Sequence, residues 1–148
     1  MRFVEPASAS VPCRSIGGDF FDYLEDPGAA FGFTLGDVAG KGPPAALLSA
    51  LMQGMFAAHA YAPDGPSAVV AHINKALCRR GIEPRFATLA YAVLSPDGRL
   101  TYSNAGHNPP LLLTSAGVER LTVGGPMLGV FDDAEFPQAT LTIDAGDS

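Results

Sequence analysis

Basic residues are scarce in this 148-residue chain. Nine Lys and Arg stand against fifteen Asp and Glu, for a formal net charge of −6. No basic run is available to neutralise a phosphate backbone, which excludes nucleic acid as a partner. Charged residues of both signs make up only 16%, while 47% are hydrophobic, so disorder is excluded and one core-bearing domain is expected. Cysteine occurs twice. Cys13 and Cys78 lie far apart, with no Cys-x-x-Cys or Cys/His ligand spacing, and are expected to be buried free thiols in a reducing cytoplasm. No apolar run reaches membrane-spanning length, and no basic stretch followed by an apolar one opens the chain. The expectation is a cytoplasmic chain with no leader and no membrane contact.

What the chain does contain is a change of pattern. Short strands are expected at 9–11, leading into GGDFFDYL, and at 30–35, with the turn signal EDPG between the last two segments. A helix should begin at Pro43, since proline suits the first helical turn, with Leu47, Leu48, Leu51, Met52 and Met55 on its apolar face. A second helix is expected at 67–80, with Val69, Val70, Ile73 and Leu77 as its stripe and Gly81 as its cap. Beyond it the pattern is β: an almost continuously apolar strand at 86–94, its return strand at 100–104, a hairpin at 109–121 and a last strand at 140–143. Strands, two helices, then strands points to an α+β protein with antiparallel sheet, not to a regular βαβ alternation.

The stretch GDVAGKGPPAALL at 36–48 joins a strand to a helix through glycines and a lysine. A phosphate-cradling P-loop needs G-x-x-x-x-G-K-[ST]. Here three residues separate Gly36 from Gly40, and Gly42 follows Lys41, so the loop is too short and the magnesium-binding hydroxyl is missing. Lys41 is read as a surface charge. The acid in the loop, Asp37, has another explanation. In a hairpin centred near residue 28, cross-strand partners have numbers summing to about 56, which matches Asp19 with Asp37. Their Cβ atoms should then lie roughly 5 Å apart. Two carboxylates so placed repel unless a proton, a base or a divalent cation sits between them. The glycines around them favour the cation, because they allow close approach of the backbone. Asp22, three residues from Asp19, should point to the opposite face of the strand. His107, in the turn-forming NAGHNPP, is read as a loop-shaping hydrogen bonder, and His59 and His72 as ordinary helix side chains.

GGDFFD at 17–22, GDVAGKGPPAALL at 36–48, FATLAYAVL at 86–94, YSNAGHNPPLLL at 102–113 and GGPMLGVF at 124–131 occur in that order. Over nearly the whole chain, this set resembles the SpoIIE-like bacterial branch of the PPM-type, metal-dependent serine/threonine protein phosphatases. The resemblance implies an αββα sandwich of antiparallel sheets flanked by helices. Residues 1–148 would form one such domain lacking its C-terminal strands. It implies two Mn²⁺ or Mg²⁺ ions and hydrolysis of phosphoserine or phosphothreonine on a regulatory protein, such as an antagonist of an anti-sigma factor, with a sensor domain in a longer chain. By motif, the metal ligands are Asp19, Asp37 and the backbone carbonyl of Val38. Arg14 has the spacing of a phosphate-binding arginine, and Gly18, Gly36, Gly40 and Gly42 form the loop near the site. No catalytic group beyond the metal ligands is implied. The family's further metal-binding Asp-Gly strand and its last Asp have no match among Asp132, Asp133, Glu135, Asp144 and Asp147. The chain is therefore read as a fragment or a natural short form, nearly inactive alone, whose uncovered sheet invites a homodimer. The alternative is a truncated phosphatase-like module that binds a partner without catalysis.

Overall fold

A computed structural model describes residues 3–11, 16–26, 30–59, 64–80 and 86–148. The elements follow in the order β1 (Phe20–Asp26), β2 (Ala30–Val38), α1 (Pro43–His59), α2 (Gly65–Arg80), β3 (Ala87–Leu94), β4 (Arg99–Ala105), β5 (Leu111–Thr114), β6 (Gly117–Arg120), β7 (Gly124–Gly125) and β8 (Ala139–Thr142). This is a mixed α+β fold. Six strands form one sheet in the order β1-β2-β3-β4-β7, with β8 also paired to β4. All its pairings are antiparallel except the short parallel contact of β7 with β4. A separate two-stranded ribbon, β5–β6, makes a second small sheet.

Both helices pack on one face of the large sheet. The reason lies in the alternation of the strands. In β3, Ala87, Leu89 and Tyr91 turn towards the helices and join Leu48, Met52, Phe56, Val70 and Ile73 in the main core. The intervening Ala92 and Leu94 face the other way. There they meet Leu100, Tyr102, Leu112 and Leu121 in a smaller cluster, roofed in part by the ribbon. The rest of that second face stays open, and an apolar groove of about 1170 Å³ runs across it past Phe33, Leu35, Ala90 and His107.

The helix starts at Pro43 as expected, but its buried face is not the expected one. Ala45, Leu48, Ser49, Met52 and Phe56 are buried, whereas Leu47 is 72% exposed and Leu51 and Met55 are only partly covered. Spacings of three and four residues from Ala45 select this stripe, and Leu47 falls outside it. Leu51→Ala is therefore expected to cost less than Met52→Ala, which should lie in the range of about 2–5 kcal/mol for a buried large side chain. Paired thermal melts check the order, and equal losses would contradict this register.

Other boundaries shift too. No strand forms at 9–11, where Val11 is 91% exposed and has no ladder partner. The strand β2 runs on to Val38, so Asp37 sits within a ladder and not in the following loop. The helix α2 begins two residues early, at Gly65, with Pro66 buried in its first turn. Cys78 is half-buried, not fully buried, and is a free thiol. Cys13, Arg14 and the cap at Gly81 lie outside the described residues.

A candidate carboxylate site at the end of the sheet

The β1–β2 ladder closes with Phe20 opposite Gly36. One step further, Asp19 comes beside Asp37, the juxtaposition expected from counting across the turn. Several contacts secure this end of the hairpin. The Gly18 carbonyl accepts the Val38 N–H at 3.2 Å and also the Ser49 hydroxyl from α1. Ser49 shares that hydroxyl with the Ala45 carbonyl, and Gln53 donates from α1 to the Phe21 carbonyl at 3.2 Å. The helix thus ties down the strand that carries Asp19. Asp22 lies on the other face, opposite Thr34, and accepts the N–H of its own neighbour Tyr23.

Backbone packing at Gly18 is tight. A methyl group there would run into the Val38 carbonyl oxygen and come within 3.1 Å of Asp37 Oδ1. The Val38 carbonyl and the Asp37 carboxylate therefore both border the bare Gly18 Cα. Gly18→Ala is expected to push the end of β2 away from Asp19 and weaken divalent-cation binding at least about tenfold, the scale seen when groups that orient metal ligands are lost. Titration calorimetry with Mn²⁺ checks this; unchanged affinity would mean that the close approach has no bearing on the site. Gly36 lies under the Phe20 ring. Gly40 and Gly42 take φ of 116° and 73°, turning the chain into α1, whose Ala45 and Ala46 N–H groups bond to the Gly42 carbonyl. Lys41 is exposed.

The electrostatics follow from the pairing. Burial first, then the negative charge of Asp19 and a hydrogen bond to it, push the Asp37 carboxyl above the usual carboxylate range, against a smaller downward pull from His107. The native fold thus holds a proton on Asp37 more tightly than the unfolded chain does. Stability in the absence of metal falls as pH rises through the carboxylate range. Asp37→Asn is accordingly expected to stabilise the metal-free chain at neutral pH, with the gain disappearing below the ordinary carboxylate pKa. Chemical denaturation at several pH values checks the sign.

These residues fit one divalent cation. Two neighbouring carboxylates stand beside the Val38 carbonyl oxygen, and hard oxygen donors suit Mg²⁺ or Mn²⁺. Among the described residues no group of three or more His, Cys, Asp or Glu side chains is placed to hold a metal ion, so a second ion has no carboxylates of its own there.

The structure also brings His107 to this end of the sheet. Its ring Nδ1 lies 2.7 Å from Thr88 Oγ1, and Thr88 is the cross-strand partner of Asp37. Its backbone role as a loop shaper holds as well, through Asn104. Burial pushes the His107 ring below the usual histidine range, opposed by the charges of Asp37 and Asp19. Thr88, Ser49 and Gln53 were not legible as site neighbours, because no local signal marks them. The other two histidines are not isolated: the His59 and His72 rings stack at 4.2 Å between α1 and α2.

A sheet that pairs two aspartates at its end, with two helices behind it, is the arrangement expected of a metal-dependent phosphatase domain. Residues 27–148 match the family described as Stage II sporulation protein E (SpoIIE), and the chain belongs to that family. It is 28% identical over 143 residues to phosphoserine phosphatase RsbU of Bacillus subtilis, covering 93% of this chain and 42% of RsbU. It is also 28% identical to protein IcfG of Synechocystis sp., covering 92% of this chain and 26% of IcfG. The chain thus spans less than half the length of these curated relatives. Among solved structures, the RsbU and RsbW domains of Rv1364c from Mycobacterium tuberculosis superimpose with a TM-score of 0.78 at 26% identity, over 93% of this chain and 38% of that one. A structure of RsbX in complex with magnesium shares the fold, with a TM-score of 0.74 at 20% identity, over 91% of this chain and 65% of that one. Among the described residues no helix is long and apolar enough to cross a membrane.

Proposed function

We propose that residues 1–148 form part of the catalytic domain of a metal-dependent protein phosphatase that hydrolyses phosphoserine or phosphothreonine on a cytoplasmic regulatory protein. The observation that carries this reading is the Asp19–Asp37 pair beside the Val38 carbonyl. Membership of the SpoIIE family supports it, as does similarity to a protein named a phosphoserine phosphatase. An antagonist of an anti-sigma factor is the proposed substrate, and a sensor domain in a longer chain the proposed input.

Asp19, Asp37 and the Val38 carbonyl would hold one Mn²⁺ or Mg²⁺. When bound, such ions supply charge neutralisation for phosphoryl oxygens and lower the pKa of water at neutral pH. The chain's own part is positional. Ser49 and Gln53 fix β1 so that Asp19 meets Asp37, and Gly18 leaves room for the two backbones to approach. No Ser or Cys nucleophile is used. Remaining carboxylates for a second ion would come from elsewhere in a longer polypeptide or from a partner copy, since the described residues hold no third acid at the site. That same shortage favours a second reading, a phosphatase-like module that binds a phosphoprotein without hydrolysing it.

Two measurements separate these readings. Mn²⁺ titration of the 148-residue chain should give one weakly held cation. Turnover of p-nitrophenyl phosphate should be near background for this chain and metal-dependent for a polypeptide extended to a complete domain. Background turnover in both would favour the binding module. Comparable turnover in both would mean that acids within this chain, or from a second copy, complete the site.

A further inference from the structure

The Asn104–His107–Thr88 cluster has no part in holding the cation. Asn104 is buried on β4 and grips both main-chain groups of His107: its Nδ2 donates to the His107 carbonyl at 3.0 Å, and its Oδ1 accepts the His107 N–H at 2.7 Å. A bridge from Leu89 to Gly106 sets the same turn against β3. The main chain of His107 is therefore locked, and Thr88 fixes its ring through Nδ1. The ring's other nitrogen, Nε2, has no hydrogen-bond partner among the described residues, and no buried side-chain nitrogen there lacks one, so Nε2 is open to solvent. His107 also borders the open groove.

A neutral imidazole carries one proton, and the partner of one nitrogen decides where it sits. The Thr88 hydroxyl needs an acceptor, and Nδ1 is the acceptor within reach. With the hydroxyl donating to Nδ1, the ring proton resides on Nε2. Thr88 is also the cross-strand partner of Asp37, which places the ring at the carboxylate end of the sheet.

We propose that His107 contacts the substrate as an Nε2–H donor to a phosphoryl oxygen held at the Asp19–Asp37 pair, with Thr88 as the positioning residue that sets its tautomer. The proposal rests on the metal-dependent phosphatase reading of that pair.

The test is nitrogen-detected NMR of the histidine rings in the 148-residue chain, with His107→Gln used to assign the signals of His59, His72 and His107. At neutral pH the His107 ring should show the Nε2–H tautomer. Thr88→Val should give a mixture of tautomers, and Thr88→Ser should restore the original one. Inorganic phosphate added with magnesium should shift the His107 ring signals and leave those of His59 and His72 in place. An Nδ1–H ring overturns the proposal. So does a Thr88→Val spectrum identical to that of the parent. If phosphate with magnesium moves the Asp37 and Val38 amides but not the His107 ring, the substrate contact is wrong while the cation site stands. If neither magnesium nor phosphate moves any of these signals, the site reading falls and the proposal with it.

Discussion

Asp37→Asn in a polypeptide extended to a complete domain is expected to lower metal-dependent kcat/KM by at least about 100-fold, since even residues that merely orient metal ligands cost ~10–100-fold when lost. The substitution keeps the shape of the side chain and removes its charge, so the loss isolates the carboxylate. Asp37 stands beside Asp19 at the closed end of the β1–β2 ladder, and the charge of Asp19 raises the cost of leaving Asp37 unneutralised. The same change should stabilise the metal-free fold at neutral pH, and this opposite sign separates a lost ligand from simple unfolding. Asp22→Asn should be far milder, because Asp22 lies on the other face and accepts the N–H of its neighbour Tyr23. Near-normal turnover of the Asp37 variant at saturating manganese would refute the ligand assignment, and equal losses at Asp22 would refute the face assignment.

Phe56→Ala should be the most damaging of the core truncations, at about 3–5 kcal/mol. The Phe56 side chain is 0% exposed and meets the Tyr91 ring edge-on at 4.6 Å between centroids. Tyr91 itself is buried in the middle of β3. The ring pair therefore joins α1 to the buried face of the sheet, and geometry of this kind adds to the area term. For a domain of this size the loss corresponds to a drop in Tm of about 10 °C. Leu47→Ala on the exposed side of the same helix should leave Tm essentially unchanged. A small shift for Phe56, or a large one for Leu47, would mean that α1 is rotated about its axis from the orientation described.

Local signals account for much of what could be read in advance. The EDPG turn set the register of β1 and β2, because a hairpin needs only its midpoint to define its partners, and the observed pairs agree with that midpoint. Pro43 marked the start of α1, and the almost continuously apolar run at 86–94 marked β3 as a strand covered on both faces. What was not legible depended on contacts between segments distant in sequence. Leu47 and Leu48 are equally apolar, and only the placement of the sheet decides that Leu48 is buried. The segment at 9–11 has the composition of a strand but no neighbour to pair with. β7 is two glycines long and exists because Asn104 and Ala105 offer an edge to it. The approach of Thr88 and His107 to Asp37 required β3 to return beside β2 after both helices, a register that no local count predicts.

The order of strands has a consequence for how the carboxylate pair comes together. Among the described strands β1 lies at the edge of the sheet, whereas β2 lies between β1 and β3. Asp37 therefore belongs to the interior of the sheet, while Asp19 sits at the start of an edge strand that opens only when the α1 contacts to Gly18 and Phe21 let go. In the metal-free chain, local opening of β1 separates the two charges and relieves their repulsion without unfolding the rest. Cation binding must then do the work of closing that opening, so affinity and the hydrogen-exchange protection of the β1 amides rise and fall together. The Ser49 and Gln53 contacts to Gly18 and Phe21 set the balance, which makes α1 a lever on the metal site from behind the sheet.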